Sequence, residues 1–242
     1  MTKQLIVILT LLSGLMVWGC KSGSDYVVRG NRKIISYEVP VKDFSEIHIN
    51  GPCEMVYEQK VNKSPYVRVE IDENLKDLLN VKSRNGKLSV GLRGNDIAAA
   101  KYKVYTNSSR LNGLKITGSG KVNLKNEINS QDLKVSISGS GGMKADKLKC
   151  ANFILSISGS GNVVASGDIF SSKIKISGSG YVDAFKLKTQ NTTCEVSGSG
   201  SAKVYASESL VSRVSGSGGI EYKGSPKKKD NKVSGSGAIK AK

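Results

Sequence analysis

The sequence predicts an all-β fold, a parallel β-solenoid of coils about twenty residues long, and three observations carry that prediction. First, Gly-Ser-Gly begins at Gly118, Gly139, Gly159, Gly178, Gly198, Gly216 and Gly235, at steps of 21, 20, 19, 20, 18 and 19 residues. Self-similarity at a nearly fixed period marks stacked units, each of which buries its apolar side against its neighbours. Second, the positions two and four before the glycine are apolar in the first five copies: Ile116 and Leu114, Ile137 and Val135, Ile157 and Leu155, Ile176 and Ile174, Val196 and Cys194. Alternation of this kind, rich in β-branched residues, is a strand with one face buried. Third, the positions four and six after the glycine repeat the pattern, from Val122 and Leu124 to Ile239 and Ala241, so a second strand leaves every turn.

A unit this short cannot hold a βαβ crossover, but it suits short strands that rise one strand spacing, roughly 4.8 Å, per coil. Ser precedes six of the seven copies and Thr117 the first, which makes six corners Ser-Gly-Ser-Gly and the first Thr-Gly-Ser-Gly. The expected corner glycines are Gly118, Gly120, Gly139, Gly141, Gly159, Gly161, Gly178, Gly180, Gly198, Gly200, Gly216, Gly218, Gly235 and Gly237. Glycine at both flanks is expected to supply left-handed backbone, and the small serine to let like corners stack. The regular apolar flanks exclude a flexible Gly/Ser linker.

From the N-terminus, Lys3 is followed by an apolar run, Leu5 to Trp18, and then Gly19-Cys20, which reads as a secretory signal. Val17-Trp18-Gly19-Cys20 resembles a bacterial lipobox, in which Cys20 becomes the lipidated first residue and holds the protein to the membrane without spanning it. An ordinary signal with an unrelated cysteine is the alternative. The organisation expected is a lipoprotein signal over residues 1–19, a tether over 20–37 and one solenoid domain over 38–242, with 38–110 as capping part and 111–242 as regular repeats.

In the capping part, Phe44, Ile47 and Ile49 lead into Asn50-Gly51-Pro52-Cys53 and then Met55 and Tyr57, a degenerate coil. Val67, Val69 and Ile71 form a strand before Asp72, expected to cap a short helix carrying Leu75, Leu78 and Leu79. Asn85-Gly86, between Val81 and the pair Leu88 and Val90, signals a tight hairpin. Hairpin and helix together would cover one open end of the stack, where bare strand edges invite aggregation.

These elements as a set, Phe44-x-x-Ile47-x-Ile49-x-Gly51, Val67-x-Val69, Asp72-Glu73-Asn74-Leu75 and Asn85-Gly86-x-Leu88-x-Val90 ahead of the Ser-Gly-Ser-Gly repeats, resemble the head GIN domain family of putative auto-transporter adhesins. The resemblance covers residues 39–242. It implies a β-solenoid on a secreted or lipid-anchored envelope protein, with the outer membrane as its expected site, and implies almost nothing about activity.

At the C-terminal end, Lys223, Lys227, Lys228 and Lys229 crowd the last full coil beside Pro226. They read as edge protection or, alternatively, as a polyanion-binding patch. The net charge of +17 can attract anionic partners, yet aromatics are only 6% of the chain, which argues against nucleic acid.

Residues for chemistry are few. One histidine, His48, excludes multi-histidine metal sites and points away from the buried side of its strand. Cys53, Cys150 and Cys194 are an odd count that leaves at least one unpaired, and Cys150 and Cys194 read as small buried fillers rather than redox or metal groups. Asp183 and Glu221 share a register two coils apart with Lys203 between, a neutral charge ladder more than a glycosidase pair. No catalytic group, metal or cofactor is expected. The function expected is therefore a non-catalytic, lipid-anchored envelope protein that contacts carbohydrate, host matrix or another envelope protein. The alternatives are a polysaccharide-active enzyme and a scaffold on anionic lipid.

Overall fold

The computed structural model describes residues 27–94 and 96–242; Cys20 and its signal lie outside them. Within these bounds the chain winds as a parallel β-solenoid. The strand before each glycine corner stacks in register on its counterpart in the next coil. Gly113–Gly118 pairs with the end of Ile128–Gly139, that with Gly142–Gly159, and so on through Asn162–Gly178, Tyr181–Gly198, Ser209–Gly216 and Lys228–Ser234. The strands leaving the corners form a second sheet that ends in Ser201–Tyr205, Gly219–Lys223 and Ala238–Ala241. A third side is built from short stretches in which Ile128, Leu148, Gly167 and Leu187 align.

The core is the set of inward columns read from the repeat. Leu114, Val135, Leu155, Ile174 and Cys194 form one column, and each is almost fully buried. Above Cys194 the same column turns polar, to buried Ser212 and then exposed Asn231. Beside it, buried Leu210 is followed by exposed Lys229. Two inward columns at the C-terminal end thus stop on polar side chains, a device that discourages a further strand from adding, while the Val214 column ends on exposed Val233.

The two glycines of a corner are needed for different reasons. The first is left-handed: Gly159 has φ 116°, and a Cβ there would stand 2.7 Å from the Gly139 carbonyl oxygen one coil below. The second is not left-handed, contrary to the expectation for both flanks. A Cβ on Gly141 would meet the buried Ile116 Cγ2 at 2.6 Å and the Gly120 oxygen at 2.7 Å, so close approach, not backbone conformation, excludes a side chain. Gly51, with φ 89°, stands at the foot of the same column beneath Gly118, as the degenerate coil predicts.

Stacking order differs from chain order at the N-terminal end. Glu46–Asn50 and Glu54–Gln59 form a coil that lies between Gly113–Gly118 and Lys121–Leu124 on one side and Lys87–Leu92 and Tyr102–Ser108 on the other. The chain lays this coil first, then the one beneath it, then climbs. Antiparallel strands close the end. Ile34–Pro40 pairs with Tyr66–Asp72, which pairs with Tyr102–Ser108, while Leu79–Arg84 folds back on Lys87–Leu92. That last hairpin turns through Asn85 and Gly86, both at positive φ, the primed turn expected. The strand from Ile34 falls partly inside the stretch expected as tether, residues 20–37.

The short helix exists as a 3-10 turn, Glu73–Leu78, with Leu75 fully buried. Its expected cap does not form: the Asp72 side chain makes no capping hydrogen bond. Its carboxylate, wholly buried, instead accepts from the backbone N–H groups of Arg32 at 2.7 Å, Ala100 at 2.8 Å and Lys101 at 3.0 Å. It ties two distant segments to the cap. Burial pushes this carboxyl up, but the N–H groups of Lys101, Arg32 and Ala100 outweigh that and hold it below the usual carboxylate range.

Candidate binding face

The residues singled out for chemistry are dispersed. His48 faces outward between Ser89 and Lys115 in register. Burial, then Lys87, hold its imidazole below the ordinary range against the opposing pull of Glu46. Its nearest carboxylate, Glu46 at 3.8 Å, is shared with Lys87 at 3.6 Å. Cys53 and Cys194 are fully buried, and burial pushes both thiols up to about 12. Cys150 is half-buried beside Ser130, with its thiol pushed to about 11 by burial. All three are free thiols far from the thiolate form that redox or metal chemistry needs. Among the described residues no three His, Cys, Asp or Glu side chains group as a metal site.

Asp183, Lys203 and Glu221 align as one outward column. The two carboxylates are thus two strand spacings apart, about 10 Å, with an ammonium between them. A glycosidase pair stands ~5 to 9.5 Å apart with open space for water or sugar between.

The four C-terminal lysines do not form one patch. Lys227 pairs with Glu208 at 2.9 Å, and Lys228 and Lys229 open the last pre-corner strand. Lys223 is on the other sheet, above Tyr205, with its Nζ 4.7 Å from the centre of the Phe185 ring.

That contact belongs to a cluster composition alone does not reveal. Tyr181, Phe185 and Tyr205 occupy outward, half-buried positions on two successive coils of the post-corner sheet. Lys203 Nζ lies 5.8 Å from the Tyr181 centroid and 5.7 Å from that of Phe185, and Lys188 Nζ lies 4.1 Å from that of Tyr205. Cations over ring faces at such distances are attracted by the ring quadrupole, by ~0.5–1 kcal/mol when exposed. Lower on the same sheet, Tyr105 is held between the Arg68 guanidinium at 4.4 Å and Lys103 at 5.1 Å. Between the clusters the outward columns run Glu54, Lys121, Gly142, Asn162 and Val56, Asn123, Lys144, Val164. Gly142 leaves a shallow groove there, walled by Lys103, Lys121 and Lys144.

The signal for this cluster was present in the repeat register. Phe185, Tyr205 and Lys223 each stand seven residues after a corner glycine, and Tyr181 three after. Odd offsets from the corner point outward.

Three solved structures share the fold. A putative adhesin from Bacteroides fragilis superposes with a TM-score of 0.84 at 25% identity, covering 89% of this chain and 100% of that one. A "putative lipid binding protein" from Parabacteroides distasonis gives 0.75 at 28%, covering 89% and 99%. A putative adhesin from Parabacteroides merdae gives 0.73 at 26%, covering 89% and 98%. No curated protein matches the sequence. The family model "Putative auto-transporter adhesin, head GIN domain" matches residues 43–226, spanning six of the seven Gly-Ser-Gly corners and both aromatic clusters, and the chain belongs to that family.

Proposed function

We propose that this protein is a non-catalytic binding module of the cell envelope, an adhesin held to the outer membrane through acyl chains on Cys20, with its post-corner sheet as the contact face. The observation that carries the reading is the cluster of Tyr181, Phe185 and Tyr205 under Lys188, Lys203 and Lys223 on a regular sheet. Aromatic rings with cations at their faces form a contact surface that costs little side-chain entropy to order, because the stacked coils already fix the backbone. Catalysis draws no comparable support: the carboxylates are interrupted by Lys203, the one imidazole is depressed, and the thiols are protonated.

A second reading, attachment to anionic lipid surfaces, is favoured by the net charge of +17 and by the structural neighbour described as a putative lipid binding protein. An array of glycans and host-matrix proteins probed with the full chain in detergent separates the two. The adhesin reading predicts discrete partners at micromolar protein. Uniform silence on the array would contradict it.

A further inference from the structure

We propose that the post-corner face binds an extended acidic polysaccharide laid along the solenoid axis, with sugar rings against Tyr105, Tyr181, Phe185 and Tyr205 and acid groups on the lysines beside them. The proposal rests on the binding-module reading above and names its ligand class and site.

The two aromatic clusters lie on one sheet, in columns that run parallel to the axis. From the Tyr105 row to the Tyr205 row the register climbs six coils, about 29 Å at one strand spacing each. The groove at Gly142 lies between them and is lined by Lys103, Lys121 and Lys144 together with Glu54, Val56 and Val164. A linear polymer is the ligand shape that can touch all three at once. Half-sunk rings leave their free edges to the apolar faces of sugar rings, and the cations at their faces suit carboxylates or sulfates. Those ammonium groups are already seated against ring faces, which lowers the cost of ordering them on binding.

The charge pattern separates this ligand from other polyanions. Glu54, Asp183 and Glu221 sit in the same columns as the lysines. A DNA strand, whose backbone presents phosphates and no free hydroxyls, would set its phosphates against those carboxylates. A glycan also carries hydroxyl groups, which can donate to Glu54, Asp183 and Glu221 while its acid groups meet the lysines. A bilayer is disfavoured because the rings are half-buried and the exposed apolar side chain among them, Val164, is small, which leaves little to insert among acyl chains.

The test uses the full chain in detergent and immobilised polygalacturonate, with neutral dextran as control and oligo-dT and phosphatidylglycerol-doped micelles as competitors. Polygalacturonate should bind and dextran should not. The double variant Phe185→Ala/Tyr205→Ala should weaken binding by about tenfold or more, a step of ~1.4 kcal/mol. Lys203→Gln/Lys223→Gln should weaken it and flatten its salt dependence without touching a buried residue. Lys232→Gln, on the other sheet, should change nothing. The site assignment is overturned if both double variants bind like wild type, or if Lys232→Gln weakens binding as much. The ligand class is overturned if oligo-dT or the doped micelles displace the protein more readily than soluble polygalacturonate does. Failure on polygalacturonate with discrete partners on the array would overturn this inference and leave the adhesin reading standing, whereas silence on both would overturn the two together.

Discussion

At the scale of the residue, two side-chain choices hold the fold, and each has its own signature. A corner glycine such as Gly159 combines left-handed φ with a coil packed 2.7 Å from where its Cβ would be. Left-handed conformation alone costs an alanine ~1–2 kcal/mol, and the clash adds to it. Gly159→Ala should therefore lower unfolding free energy by at least ~2 kcal/mol in urea titrations, while Ser160→Ala at the exposed corner tip should change it by no more than ~0.5 kcal/mol. Asp72 is the second. Its pKa is lowered in the fold, so its contribution is complete above the unfolded value near 3.9 and is lost as pH falls from there through the lower folded value. Asp72→Asn should destabilise the protein at pH 7, and the gap between variant and wild type should narrow on acidification to pH 3. A constant gap would mean that the carboxylate's charge plays no part. Sequence reading placed Asp72 beside the right element but gave it the wrong partners, because its donors, Arg32, Ala100 and Lys101, are some thirty to forty positions away and no local pattern announces them.

At the scale of the element, the regular coils were legible and the cap only partly so. Inward columns repeat every coil, so their burial could be read by counting from each glycine. The cap has no such period. The coil of residues 87–108 slides beneath the one laid earlier, an arrangement fixed by long-range pairing of Glu46–Asn50 with Lys87–Leu92 rather than by any local propensity. The hairpin was legible because Asn85-Gly86 determines its turn by itself. The aromatic clusters were overlooked for another reason: a 6% aromatic content says nothing of position, although their odd offsets from the corners did. In a stack where each coil touches mainly its neighbours, damage stays near its origin. Leu75→Ala, which empties a fully buried site under the cap, should cost ~2–5 kcal/mol. Hydrogen exchange should then speed up in Tyr66–Asp72 and Tyr102–Ser108 while Gly142–Gly159 keeps its protection. Equal loss along the whole solenoid would show that the coils unfold as one unit.

At the scale of the whole molecule, the chain is a stack whose two ends are finished differently and whose long side carries the aromatic and lysine clusters proposed as the contact face. Antiparallel strands close the N-terminal end; Lys229 and Asn231 in inward register finish the other. With a net charge of +17, the binding proposed to an acidic partner should weaken as salt rises. The proposed adhesin must also face outward. Brief protease treatment of intact cells, with the protein followed by immunoblot, tests this most directly. The account predicts that the wild-type protein is cleaved on intact cells and that Cys20→Ala abolishes its retention in the membrane fraction. A protein that stays whole until the outer membrane is opened would contradict it.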